Sequence, residues 1–151
     1  MVWQGYNGTW TPDSRLLLAT DNGLFLLDEN LDNPERIGNT ITGQVGNPDV
    51  NPSGTAVVFE FNQQIWGINI DGSDAKELLT DGNRLRFPVW NPDGSASISY
   101  LAVPSDDKYL GYIFVTNFEN GQTYALDLAP VLEFGSSNFL RTINGPLSWN
   151  Q

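Results

Sequence analysis

The sequence predicts an all-β protein built from repeated sets of four short antiparallel strands. Three observations support this: a turn motif recurs at a fixed interval, Asn-Gly and Asp-Gly pairs separate short apolar runs, and no segment shows sustained helical periodicity. The chain has 151 residues, of which 40% are hydrophobic, enough for a sizeable core. We therefore expect one ordered domain over residues 1–151.

A proline turn recurs every 40 residues, in the stretches TWTPDSRLLLAT, DVNPSGTAVVFEF and VWNPDGSASISYL. Proline presets φ for the first central position of a type I turn, and a following Gly in the left-handed conformation returns the chain antiparallel. Ser14 replaces this Gly in the first copy, so we expect backbone strain there. The repeated motif residues are Trp10, Pro12, Asp13, Pro52, Gly54, Trp90, Pro92, Asp93 and Gly94.

Each turn is preceded by a short strand and followed by two apolar strands and a more polar outer one. In the first copy RLLLAT leads through DNG into LFLLDE. In the second, AVVFEF leads through NQ at 62–63 into QIWGINI, and DG at 71–72 turns into AKELLT. In the third, ASISYLAV leads through PSDDKYL into GYIFVTNF, and NG at 120–121 turns into QTYALDL. Asn-Gly and Asp-Gly pairs suit two-residue hairpin turns because they tolerate positive φ.

A repeat of four strands in about 40 residues is typical of a β-propeller blade. We predict repeats at approximately 8–47, 48–87 and 88–143, followed by the inner strand of a fourth at 144–151. In that last stretch Trp149 takes the place of the earlier motif tryptophans. The recurrence of tryptophan at one repeat position predicts that these side chains pack between neighbouring blades.

The motif and the stretch IWGINIDGSDAKELLTDG resemble the TolB-type, WD40-like propeller repeats. The resemblance is clearest over residues 48–94 and covers roughly Gly8 to Leu128 less strongly. It implies a closed propeller, a protein partner, and a periplasmic or other extracytoplasmic location. Similar repeats also form the propeller that gates some serine peptidases.

The number of repeats is too small for a closed ring, since propellers contain about four to eight blades. A ring that stops after three and a half blades leaves sheet edges and apolar blade faces uncovered. Three explanations stay open: the chain is part of a longer protein, two copies complete the ring as a homo-oligomer, or the fold is a smaller β-sheet assembly.

The net charge of −11 arises from 18 acidic and 7 basic residues, and only Arg84 and Arg86 among the basic ones lie close together. A chain so acidic is repelled by phosphate backbones and anionic lipid, so we expect no nucleic-acid partner. We also expect no membrane insertion, since no apolar run approaches the roughly 20 residues that a spanning helix needs.

Cysteine and histidine are both absent, which excludes disulfides, Ser-His or Cys-His nucleophile pairs and ordinary zinc sites. We therefore predict no catalytic residues and no cofactor. The leading interpretation is a non-enzymatic scaffold that contacts proteins or small ligands through loops at the blade ends or the central channel. The alternative is the propeller portion of a larger serine peptidase or other hydrolase whose catalytic domain is absent from this chain.

Two loops carry candidate sites. In DENLDN, Asp28, Asn30 and Asp32 alternate as at the start of a calcium loop, although the Gly and Glu that such a loop requires further on are replaced by Asn. The long loop of the third repeat presents candidates for partner recognition, with a solvated loop tip as the alternative. These candidates are Asp106, Asp107, Lys108 and Tyr109. We assign the motif aspartates Asp13 and Asp93 to turn formation.

Overall fold

The computed structural model describes residues 7–104 and 111–126, which form three four-stranded antiparallel sheets and contain no helix. The first sheet, blade 1, consists of β1 (Asn7–Trp10), β2 (Leu16–Thr20), β3 (Gly23–Leu27) and β4 (Glu35–Ile37). Blade 2 consists of β5 (Val45–Val50), β6 (Ala56–Phe61), β7 (Gln64–Asn69) and β8 (Lys76–Leu79). Blade 3 consists of β9 (Arg84–Trp90), β10 (Ser97–Val103), β11 (Tyr112–Asn117) and β12 (Gln122–Ala125).

The strands of each blade pair in chain order, as consecutive hairpins do, so the predicted all-β class and four-stranded blades are confirmed. The predicted repeat boundaries at 47/48 and 87/88 fall inside β5 and β9, because the first strand of each blade begins well ahead of the proline turn. The predicted fourth inner strand at 144–151 lies outside the described residues.

The proline turns close the first hairpin of every blade. The carbonyl oxygen of the residue before each proline accepts a hydrogen bond from the N–H three residues on, at 2.8 to 3.3 Å. That third residue has a positive φ in all three copies, 67° at Ser14, 72° at Gly54 and 82° at Gly94. A serine side chain costs energy in this left-handed conformation, so the strain expected at Ser14 is present.

Blades 1 and 2 pack face to face through an apolar cluster. Paired residues of a sheet share a face, so Leu17 and its partner Leu26 both point toward blade 2. The buried members of this cluster are Leu17, Ala19, Leu24, Leu26, Ile37, Ile41, Val45, Val57, Phe59 and Ile68. A smaller cluster joins blades 2 and 3, formed by Val58, Ile65, Leu85, Ile98, Tyr100 and Ala102.

The motif tryptophans differ in environment. Trp10 pairs with Leu16, next to Leu17, so it lies on the face of blade 1 turned away from blade 2 and is 60% exposed. Trp90 is half-buried against the cluster between blades 2 and 3, with its ring centroid 6.3 Å from that of Phe118. The expectation that Trp10 packs between neighbouring blades is therefore corrected for the described residues, because no described blade covers its face. Trp149 lies outside them.

Candidate binding pocket at the start of the first strands

The first strands of the three blades, β1, β5 and β9, lie side by side. At the end where these strands begin, opposite the proline turns, lies a pocket of about 660 Å³. It is lined by residues from all three blades, namely Asn7, residues 42–47, residues 60–63, Arg84, Arg86 and Phe87. This volume lies within the roughly 300–1,000 Å³ typical of ligand sites.

A backbone irregularity shapes the wall of this pocket. Asn47 in β5 and Phe87 in β9 have positive φ values of 45° and 53°, and the pairing register of each strand shifts beside them. Each stands five residues before its turn proline, so blades 2 and 3 share the irregularity, whereas β1 pairs with β2 in unbroken register. Such a bulge leaves a backbone N–H unused by the sheet and free for another acceptor.

Those two N–H groups connect neighbouring blades. The N–H of Asn47 donates to Asn7 Oδ1 at 2.8 Å, which joins blade 2 to blade 1. The N–H of Phe87 donates to Glu60 Oε1 at 2.6 Å, which joins blade 3 to blade 2. The side-chain amide of Asn47 also contacts Asn7 and donates to Glu60. One continuous hydrogen-bonded line therefore crosses all three blades along the pocket.

Two arginines give the pocket its positive charge. Arg86 lies with Nε 3.8 Å from Glu60 Oε2, and its guanidinium is 4.6 Å from the centroid of the Phe87 ring. Arg84 is exposed and forms no ion pair with any residue in the described part of the chain. With Glu60 as the single acidic residue of the lining, cations outnumber anions there.

A second carboxylate, that of Asp49, lies at the junction of blades 2 and 3. Its Oδ2 accepts the N–H of Trp90 at 2.7 Å. Burial raises the pKa of Asp49 to about 6, although hydrogen bonds from the N–H groups of Trp90 and Val50 act in the opposite direction. Because its bond is to the backbone of the next blade, this carboxylate serves as a link between blades.

The proposed calcium residues form a self-contained turn. Asp28 Oδ1 accepts the N–H groups of Asn30 at 3.0 Å and Asp32 at 2.9 Å, and Oδ2 accepts the side-chain amide of Asn33 at 2.8 Å. These bonds lower the pKa of Asp28, with the bond from Asn33 the largest cause. The carboxylate thus closes its own loop, and the described residues contain no cluster of three or more His, Cys, Asp or Glu that could hold a metal.

The other candidates divide between turns and undescribed positions. Asp13 accepts a bond from the Thr11 hydroxyl, and Asp93 accepts the N–H of Ser95 at 2.7 Å. In both cases these bonds lower the pKa of the carboxyl, as a turn-forming role requires. The loop candidates Asp106, Asp107, Lys108 and Tyr109 lie outside the described residues. Within the described ranges, no helix is long and apolar enough to cross a membrane.

The pocket was not among the sites expected from the sequence. A usable signal was present in Pro48 and Pro88, which each stand four residues before a turn proline, inside a predicted strand. Proline cannot donate to a sheet ladder, so its presence inside a strand indicates a bulge or an edge. The pairing of Arg86 with Glu60 had no comparable signal, because the two residues come from different blades.

Comparison with solved structures identifies the fold of these blades. A protein assigned as TolB from Agrobacterium tumefaciens matches with a TM-score of 0.70 at 18% identity, over 83% of this chain and 50% of that one. TolB from Acinetobacter baumannii matches with a TM-score of 0.67 at 18% identity, over 83% and 33% of the two chains. The tricorn protease matches with a TM-score of 0.62 at 15% identity, over 83% and 13%.

The chain spans half or less of the length of these solved chains. No protein-family model matches it, and no curated protein matches it significantly. The likeness to the solved structures shows a β-propeller fold of the TolB type, which confirms the resemblance inferred from the repeated motif.

Proposed function

We propose that this chain is a non-enzymatic binding scaffold that holds a segment of a partner protein in the pocket at the start of β1, β5 and β9. The observation that carries the proposal is the pocket itself, about 660 Å³ in volume and lined by all three blades. The absence of histidine and cysteine from the whole sequence supports a binding role over nucleophilic catalysis.

The construction of the pocket also supports binding. Its wall is held by the hydrogen bonds that link Asn7, Asn47, Glu60 and Phe87, so little ordering is needed when a ligand enters. Its rim includes the tight turn between β6 and β7, whose exposed amide side chains can donate and accept hydrogen bonds. A fixed wall and an adaptable polar rim suit recognition of an extended polypeptide.

The tricorn protease match supports a second candidate, the substrate-access portion of a larger hydrolase. The two candidates differ in selectivity. A scaffold retains particular sequences, whereas an access channel passes peptides with little preference. Equal binding of unrelated peptides by the purified chain would therefore favour the second candidate.

We also propose that a second copy of the chain covers the outer face of blade 1. Leu16, Leu18 and Phe25 are only half-buried on that face, beside the exposed Trp10. Light scattering should then report a dimer that dissociates when Leu18→Glu introduces a charge. A monomer at all concentrations would eliminate this arrangement.

The pocket proposal is tested with a displayed library of random peptides selected against the purified chain. Gly46 is part of the pocket lining, so the side chain introduced by Gly46→Leu should block the pocket. The fold should tolerate this change, because a Cβ at Gly46 meets only ordinary contacts with Glu60 at 3.7 and 3.9 Å and the φ of Gly46 is not positive. Ser53→Leu, which adds the same side chain at the exposed proline turn, is the matched control.

Selected peptides should bind Gly46→Leu at least about tenfold more weakly, a factor within reach of one lost contact, and bind Ser53→Leu normally. Failure to select any peptide, or selection of peptides indifferent to Gly46→Leu, would show that the pocket is not a protein-binding site.

A further inference from the structure

The charge of the pocket is opposite to that of the chain. The protein carries a net charge of −11, yet two of its seven basic residues, Arg84 and Arg86, stand together in the pocket lining. They occupy alternate positions of β9, so their side chains emerge on the same side of the strand.

Arg86 is held in position by Glu60 and the Phe87 ring. Its Nε lies 3.8 Å from the Glu60 carboxylate, beyond hydrogen-bond distance, and Arg86 donates no hydrogen bond to any described residue. Glu60 Oε1 already accepts bonds from Asn47 and Phe87. The guanidinium is therefore oriented but retains its donors for another acceptor.

Arg84 adds a second cation without a partner among the described residues. Two guanidinium groups on one side of a strand can both donate to one carboxylate, and charge-assisted bonds of this kind are about twice as strong as neutral ones. The unsatisfied cations therefore favour a carboxylate as the ligand group.

The rest of the lining indicates what carries this carboxylate. The half-buried ring of Phe61 supplies apolar surface, and the side-chain amides of Gln44, Asn62 and Gln63 supply polar groups suited to a peptide backbone. A free inorganic anion would leave the aromatic surface and most of the 660 Å³ unused. A long polyanion would be repelled by the acidic chain, whereas one carboxylate interacts mainly with charges within the Debye length of about 8 Å.

From this arrangement we infer that the pocket binds an acidic side chain of an extended polypeptide, with its carboxylate held by Arg84 and Arg86 and an adjacent apolar side chain lying against Phe61. This inference rests on the proposed scaffold function and specifies its ligand. Partner segments in which Asp or Glu neighbours a large apolar residue are the ones that this pocket selects.

The test uses two capped peptides, Phe-Glu-Gly-Glu-Phe and its Gln counterpart, titrated calorimetrically into the full chain and followed through the arginine Nε–H resonances. The Glu peptide should bind about tenfold more tightly, shift the signals of Arg84 and Arg86, and lose affinity as salt is raised. Arg84→Gln should remove the preference. Lys76→Gln, which removes an exposed cation paired with Asp74 at 3.4 Å on β8, should leave it intact.

Three results would overturn the inference. The first is equal binding of the two peptides, and the second is an Arg84→Gln variant that retains the preference. The third is inorganic phosphate that shifts both arginine signals and displaces the Glu peptide at equal concentration, because the site would then be a general anion site. If library-selected peptides still occupy the pocket in any of these cases, the scaffold function stands and only the carboxylate preference fails.

Discussion

Blades 1 and 2 meet across a cluster of ten buried apolar residues, whereas blades 2 and 3 meet across six and add two carboxylates. The same position of the first strand donates its backbone N–H at both junctions, from Asn47 and from Phe87. At the first junction the acceptor is the neutral amide of Asn7, and at the second it is the carboxylate of Glu60. The repeat thus requires an acceptor at this place, but the fold does not require a charged one.

The difference has a functional consequence. Glu60 anchors Arg86 as well as accepting the N–H of Phe87, so the charged junction is also the one that equips the pocket with an oriented cation. Asp49 adds a half-buried carboxylate at the same junction. We expect the first junction to respond chiefly to changes in apolar volume, and the second to changes in charge and pH.

The largest effect should come from Phe59→Ala, which opens a cavity in the first junction, where Phe59 is fully buried. We expect a loss of about 3–5 kcal/mol in the free energy of unfolding, from lost burial and the cavity together. Chemical denaturation measures this loss. The control Tyr112→Ala removes an aromatic side chain on β11 of blade 3 that is 59% exposed, and it should change the free energy of unfolding by no more than about 0.5 kcal/mol. Equal losses in the two variants would contradict the assigned packing.

Asp49→Asn should change the pH dependence of the second junction. The pKa of Asp49 is about 6 in the folded protein, against 3.8 for a free carboxyl. Between these two pH values the folded protein therefore retains a proton that the unfolded chain has released. The stability from this group is present below about pH 4 and is lost as pH rises through 6. Between pH 4 and 8 the free energy of unfolding of the wild-type chain should therefore fall by roughly 2–3 kcal/mol more than that of Asp49→Asn, as measured by chemical denaturation at each pH.

The control for this pH effect is Glu77→Gln, which neutralises an exposed carboxylate on the same blade. It should leave the slope of the free energy of unfolding against pH as in the wild-type chain. Parallel pH–stability curves for wild type and Asp49→Asn would show that Asp49 titrates as in an unfolded chain.

The two acceptors can be compared directly by removing each. Glu60→Ala leaves the backbone N–H of Phe87 and the side-chain amide of Asn47 without their acceptor. It should lower the free energy of unfolding by about 2–3 kcal/mol. Asn7→Ala removes a neutral acceptor and should cost about 1 kcal/mol. Amide hydrogen exchange should accelerate first at Phe87 in the former variant and at Asn47 in the latter. The reverse pattern would contradict the assigned links between blades.

The smallest effect should come from Ser14→Gly in the first proline turn. Because Ser14 has a φ of 67°, glycine relieves strain there, and we expect a gain of about 0.5 kcal/mol after the entropy of the added glycine is included. Thermal melting should show a small increase in the midpoint. The converse change Gly94→Ser, at φ 82°, should lower it, and two shifts of the same sign would contradict the shared turn geometry.

The strands and turns could be predicted from the sequence because their signals are local. The proline turns and the tight hairpin at Asn62 and Gln63 depend on residues next to each other, and each of these segments contains a residue with positive φ. The environment of the tryptophans could not be predicted in this way. Trp10 and Trp90 share a motif position, but their surroundings differ. Blade 2 covers the face of blade 3 that carries Trp90, whereas no described blade covers the face of blade 1 that carries Trp10.

The pocket required information that no local pattern contains. Its lining joins residues from three blades, and Glu60 meets Phe87 across a separation of 27 positions. The prolines at 48 and 88 indicated a bulge in two strands, but the ring arrangement decides which side chains accept the freed N–H groups. The acidic turn of Asp28 shows the opposite case, where a spacing typical of a metal site is explained by bonds within the turn.

The most direct test of the central claim is the position of a bound partner segment on the protein. A library-selected peptide with a nitroxide spin label is added to the ¹⁵N-labelled chain, and the glycine amide signals are followed because they are well separated. We expect the signals of Gly43 and Gly46, in the pocket lining, to be lost, while those of Gly54 and Gly94, in the proline turns, keep their intensity. Loss of the Gly54 and Gly94 signals with Gly43 and Gly46 intact would place the binding site at the other end of the blades and contradict the account.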